Sequence, residues 1–324
     1  MEIALLIRIL SSVLANSSPL VIAAMGETIS ERAGVINLSL DGSIMLSAMS
    51  GFAVAYLTGN VVLGFLAAMM VGALMALVIA FASITLHQDQ VAVGFVLTLL
   101  GAELANFLGE PFVRRPGPRV PYMPIPLLRD IPVVGEIFFR QDILVYASIV
   151  LIVVVWFWIF KTQAGLRLRG VGERPEAAFA RGVSVNRLRY LYTVVGGALV
   201  GIAGAAYSLS VKLGWSEGHT LGNGWIALAI VIFGGWHPFR VAFGAYLFGV
   251  LISLGGILQR SIPGVPTQVF QAAPFALMIL VLLFVSGGAL ERLLSLFPPR
   301  MRRVVGDALR VAPPSALARP FVTE

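Results

Sequence analysis

The 324-residue chain contains no cysteine, which excludes disulfides and thiolate metal sites. It has only two lysines, Lys161 and Lys212, and neither lies in a GxxxxGK[ST] loop able to cradle phosphates. The chain is therefore not a nucleotide-driven motor by itself. His87, His219 and His237 are scattered with no HxxxH arrangement, so zinc has no ligand set to build on. No HExxH, GxSxG or paired-aspartate signature falls in an apolar stretch, which argues against an intramembrane hydrolase. Charge is scarce as well: Asp, Glu, Lys and Arg make up 12% of residues, against about 25% in soluble domains.

What fills the chain is apolar sequence, with 58% hydrophobic residues and a mean hydropathy of +0.91. The apolar runs are about 20 residues long, enough to cross a hydrocarbon layer of ~30 Å as helices, and lack the alternation of a barrel strand. The expected fold class is an all-α polytopic membrane protein. Nine spans are expected, at 3–25, 38–58, 61–85, 90–109, 142–160, 188–211, 222–234, 239–258 and 268–286. The first begins with Glu2 and has no small-residue cleavage site, so it reads as a retained span. The seventh, between Leu221-Gly222-Asn223-Gly224 and Gly234-Gly235-Trp236-His237-Pro238, is too short to cross straight and suggests a broken or tilted helix.

Charge sets the orientation. The loop 161–189 carries seven Lys/Arg against Glu173 and Glu176, and placing it in the cytoplasm also places the arginine-rich tail there. The expected layout is a transmembrane domain over 1–290 and a basic, proline-rich cytoplasmic tail over 291–324. The net charge of +7 then reflects membrane orientation and not nucleic acid. The same count puts 110–141 outside, despite Arg114, Arg115, Arg119, Arg129 and Arg140. Its seven prolines and length suggest a folded external cap, and long translocated segments feel the charge rule weakly. The tail holds Pro298, Pro299, Pro313, Pro314 and Pro320 among arginines, a composition expected to stay mobile at the membrane surface and to be dispensable.

Within 161–189, Glu176-Ala177-Ala178 followed by Gly182 predicts a short helix ended by a left-handed glycine, with Ser184 capping the next span. Such an elbow fits a groove on a soluble partner, or it is simply a basic loop. Polar residues elsewhere in the spans need partners or water. Glu27, Glu31 and Arg32 suggest an ion-pair and capping cluster at a re-entrant turn, while Asn37, Ser39 and Asp41 suit either a helix cap or a cavity lining. Glu103 and Asn106, three apart, share a helix face and suit a pathway or an inter-helix hydrogen bond. Gly197-xxx-Gly201 suggests close helix packing. A faint repeat lays Gly64 on Gly244, Ala92 on Ala272, Phe95 on Phe275 and Leu97 on Leu277, as in an inverted pair of units. It makes the starts of the second and seventh spans, around Asp41 and around Asn223 and Gly224, equivalent ends of two half-helices meeting at a pathway.

Three motifs carry a family resemblance: GETISERAGVINLSLDGSIMLSAM at 26–49, GLRLRGVGERPEAAFARGVSVNRLRYL at 165–191 and GNGWIALAIVIFGGWHPFRVAFGAYLFG at 222–249. In this order they resemble the permease subunits of bacterial ATP-binding-cassette importers of the ribose and branched-chain amino acid class, especially the nucleoside and simple-sugar branch. The resemblance implies a multi-pass protein of the cytoplasmic membrane, paired with a second permease, a cytoplasmic ATPase that uses ATP and Mg, and an external substrate-binding lipoprotein. It implies no cofactor on this chain. It makes Glu173 to Gly182 a coupling helix, with Arg174 and Glu176 in polar contact with the ATPase. Branched-chain amino acids are the alternative cargo, and an ion-driven carrier using Glu27, Asp41 or Glu103 is the alternative mechanism.

Overall fold

In a computed structural model, which describes residues 2–262, 264, 266–286 and 312–322, the chain is a bundle of twelve α-helices with no strand among those residues. Helix α1 covers Glu2–Arg32, α2 Leu40–Thr58, α3 Val61–Ala80 and α4 Gln90–Gly109. A short α5, Val134–Phe138, precedes α6, Ile143–Lys161, which leads into α7, Gln163–Glu173, and α8, Pro175–Ala180. Helices α9, Val185–Ala206, α10, Asn223–Phe233, α11, Pro238–Ser261, and α12, Thr267–Ser286, follow. Among the described residues, seven helices, counted with their short continuations, are long and apolar enough to cross a membrane, whereas α10 has eleven residues.

Local chemistry fixes several helix starts. Asn60 Oδ1 accepts the Val62 and Leu63 amides, Asp89 that of Ala92, and Asp142 those of Leu144 and Val145. Each side chain satisfies donors that the first turn leaves open. Helix α9 is the spine on which α1, α2 and α3 pack. Its small-residue seam works as expected: a Cβ on Gly201 would strike the Ala68 carbonyl, and one on Gly197 would strike Ala76, so α3 lies almost backbone to backbone on α9.

The spine also orders the two ends of the bundle. Arg189, near the start of α9, lies beside Gly34, while Gly204, near its end, lies against Ile44 and Ser47. The α1–α2 turn, the elbow, Trp236 and the tail therefore share one end, where Arg32 meets both Glu173 and the Trp236 carbonyl. Asn60, the 110–141 segment and Trp215 share the other. That segment is folded, with Met123 and Ile125 amides bound to the Gln141 and Phe139 carbonyls and Val120 bound to Leu209. Arg129 pairs with Asp130 and Arg140 with Glu136, each at 3.6 Å.

Two expectations need correction. The first helix runs on to Arg32 instead of ending near 25, because its polar side chains find tertiary partners inside the bundle. The tail is packed on the bundle over 312–322. Ala316 and Phe321 are buried, and amides of the segment bond to Gly172 and Gly34 carbonyls at 2.9 and 3.1 Å. Average composition hid a few well-placed apolar residues. Residues 291–311, with Pro298 and Pro299, lie outside the described residues.

The starts of α10, α11 and α12 follow those of α2, α3 and α4 by about 180 residues each, the offset of the faint repeat. From their neighbouring starts, α2 runs toward the Asn60 end and α10 toward the Trp236 end, so these two run in opposite directions.

Candidate functional site

The starts of α2 and α10 meet through one side chain. Asp41, 3% exposed on the first turn of α2, accepts the Gly224 amide with Oδ1 at 2.9 Å and the Gly222 amide with Oδ2 at 3.1 Å. Gly222 is the N-cap residue of α10, so the carboxylate of one helix caps the other. Both helix N-termini carry partial positive charge, and both face this carboxylate. The approach depends on Gly224, where any Cβ would strike the Asp41 amide nitrogen and Cα. Because Gly204 lies against Ile44 and Ser47, the start of α2 falls about a turn or two back along α9, near mid-bundle.

The unwound segment leading to α2 is held by side chains, as backbone within a membrane protein must be. The Ile36 amide donates to Gln90 Oε1 and the Asn37 amide to Glu27 Oε1, both at 2.9 Å, while Thr98 Oγ1 donates to the Leu38 carbonyl at 2.7 Å. Asn37 Oδ1 accepts the Ser39 amide at 3.1 Å and the Ser39 hydroxyl at 2.6 Å, and Ser43 Oγ lies 3.0 Å from Ser39 Oγ. Asn37 and Ser39 are thus buried braces of this turn. Glu27, Glu31 and Arg32 do not form the expected ion-pair cluster. Glu31 accepts the Trp236 indole N–H, and Arg32 turns to Glu173, 4.0 Å away.

Among the described residues, neither Glu103 nor Asn106 is hydrogen-bonded to this junction. Asn106 Oδ1 accepts the Gly218 amide at 3.4 Å, and Glu103 is exposed among Leu99, Leu100 and Phe107 on the outer face of α4. Asn223, at the first position of α10, is half-buried, whereas Gly224 is buried. Beside it lies a pair the sequence reasoning missed: Phe95 and Trp225, ring centroids 6.5 Å apart, with Phe95 exposed and Trp225 half-buried. The available signal was the place of Trp225 inside the GNGW motif, directly after Asn223-Gly224.

At the elbow, α7 starts on Thr162, whose Oγ1 accepts the Gly165 amide at 3.1 Å. Pro175 occupies the first turn of α8, where its missing N–H costs nothing. The helix ends in a Schellman motif: the Val183 amide reaches the Ala178 carbonyl at 3.1 Å and the Gly182 amide reaches Phe179 at 2.8 Å. Gly182 takes φ +78°, a conformation open to glycine at no steric cost. Ser184 precedes α9 without a side-chain capping bond. Arg174, Glu176 and Ala177 are exposed, Phe179 is 52% exposed, and Ala178 is half-buried. Glu173 faces the tail, its Oε2 accepting the Ser315 amide and hydroxyl at 3.2 and 3.0 Å.

No solved structure matches the chain. Among curated proteins, TsgC13 of Haloferax volcanii, whose assigned name is that of a glucose ABC transporter permease protein, is 42% identical over 76% of this chain and 76% of its own length. The nucleoside ABC transporter permease protein NupC of Lactococcus lactis is 34% identical, covering 87% of this chain and 93% of the relative. The guanosine ABC transporter permease protein NupQ of Bacillus subtilis is 34% identical, covering 85% and 90%. The family described as branched-chain amino acid transport system, permease component, matches residues 9–282. With a match that spans most of the chain, including the opposed α2 and α10 and the elbow, the chain belongs to the permease components of this transport family.

Proposed function

We propose that this permease forms half of the translocation pathway of an ATP-binding-cassette importer for a neutral polyol, a nucleoside or a simple sugar. The names borne by NupC, NupQ and TsgC13 support that cargo class. The description of the family keeps branched-chain amino acids as the second reading. A second permease subunit completes the pathway in the cytoplasmic membrane. A cytoplasmic ATPase using ATP and Mg drives it, and an external binding lipoprotein delivers the solute. Arg174, Glu176, Ala177 and Phe179 present the elbow to the ATPase. The opposite end offers Arg114, Arg115 and Lys212 around one basin, a surface suited to an acidic lobe of the binding protein.

The observation that carries the pathway reading is the junction of α2 and α10 at Asp41, a meeting of opposed half-units of the kind that places transport sites near mid-membrane. Asn223 offers an amide beside it, and Phe95 and Trp225 offer ring faces to a sugar or base. Asp41 itself is occupied by backbone amides, so solute meets weak polar and aromatic partners and no deep charged well. That suits release as well as entry.

The absence of cysteine makes a direct test available. Asn223→Cys should transport, and a bulky thiol reagent at that position should then block uptake, with protection when ATP turnover is arrested. Complete labelling with undiminished uptake would move the pathway to the α4 face around Glu103 and Asn106. Competition of labelled nucleoside uptake by sugars and by leucine separates the two cargo readings.

A further inference from the structure

We propose that Ser315–Phe321 is a positioning strap that ties the elbow to the pathway junction, so that the tail belongs to the coupling unit. The proposal rests on the reading of α8 as the ATPase-facing element. Four separate parts of the bundle are joined within these seven residues. Ser315 holds Glu173 through its amide and hydroxyl, and the Ala316 amide donates to the Gly172 carbonyl at 2.9 Å, which fixes the end of α7. The Ala318 amide donates to the Gly34 carbonyl at 3.1 Å, which reaches the turn between α1 and α2. The Arg319 carbonyl accepts Arg189 Nη1 at 2.9 Å, which reaches the start of α9. Phe321 packs with Val171 and Val185, its ring 5.7 Å from that of Phe179 on α8.

Two features mark the contact as built and not incidental. Arg189 is buried, its Nε and Nη2 have no hydrogen-bond partner among the described residues, and the tail carbonyl is the acceptor its guanidinium reaches there, with the Glu176 carboxylate acting on it through space. A buried cation stripped of its partner is strongly unfavourable. Ala318 sits at φ +60°, a left-handed conformation that a residue with a Cβ enters only against steric resistance. It makes its bond to Gly34 from that conformation. Gly34 in turn lies three residues before Asn37 and seven before Asp41. A displacement of the elbow is therefore delivered through the strap to the segment that leads into the α2–α10 junction, in addition to the path along α9.

The test uses the whole transporter in proteoliposomes, with bound ATPase, ATP hydrolysis and solute uptake measured together. Truncation after Ala312 and the single change Ala318→Pro, which deletes the amide that reaches Gly34 and, with φ held near −65°, also abolishes the left-handed turn at 318, should each leave the ATPase bound and hydrolysing while uptake per ATP falls about tenfold. Ala318→Gly keeps the amide and eases the backbone, so it should behave as the parent. If truncation prevents insertion, Ala318→Pro carries the test alone. An unchanged ratio of uptake to hydrolysis in Ala318→Pro would overturn the strap. Gly182→Val, at a turn where an added Cβ meets no neighbour, separates the two readings: if it blocks uptake while Ala318→Pro does not, only the strap fails, and if it leaves uptake intact, the elbow reading fails first.

Discussion

Asp41 is the single side chain on which most converges, since it begins one helix and caps another 181 to 183 residues away. Asp41→Ala would leave two buried amides of α10 without acceptors and should destabilise the protein by about 2 kcal/mol. Thermal unfolding in detergent checks this, and an unchanged melting temperature would refute the capping role. At this scale the sequence was half legible. Asn37, Ser39 and Asp41 were recognisable as a polar cluster at a helix start, and the repeat brought Asn223 and Gly224 to the same place. Which residue did what was not recognisable. All three types cap helices, and only a partner distant in sequence separates the brace from the bridge. Glu27 and Arg32 show the same limit: five residues apart they suggest a local pair, yet the partners are Asn37, Trp236 and Glu173.

Among the elements, the elbow was the most legible, because its shape is set by neighbours in the chain. Proline at the start, Glu-Ala-Ala in the body and glycine just past the end each favour the observed helix locally. Gly182→Val should therefore cost roughly 1–2 kcal/mol at the Schellman turn and uncouple transport while leaving membrane insertion intact. Surface labelling of the inserted chain together with uptake measures both, and full uptake would show that the turn is not used in coupling. The end of α1 and the tail were less legible for the opposite reason. GETISER is polar enough to suggest a break, but Glu27 accepts the Asn37 amide and Glu31 the Trp236 indole N–H inside the bundle. In the tail, prolines and arginines mask Ala316 and Phe321, whose burial depends on a surface made by α7 and α9.

For the whole molecule, the junction at Asp41 has an electrical consequence. Each helix N-terminus contributes roughly half a positive charge, and Asp41 lies in the first turn of one and on the amides of the other, so charge at the junction itself is close to balanced. An importer that opens there gives neither cations nor anions a fixed charge to linger on, and the membrane potential has nothing to drive through it. Asp41→Asn would remove the negative partner and leave two positive ends facing the proposed pathway. Liposomes holding that variant should leak small anions such as chloride under an imposed potential, whereas those holding the parent should stay tight. Equal conductance would mean that the junction does not govern ion exclusion. If the leak is seen, the carboxylate that joins the two half-units is also what allows a solute to cross without discharging the cell.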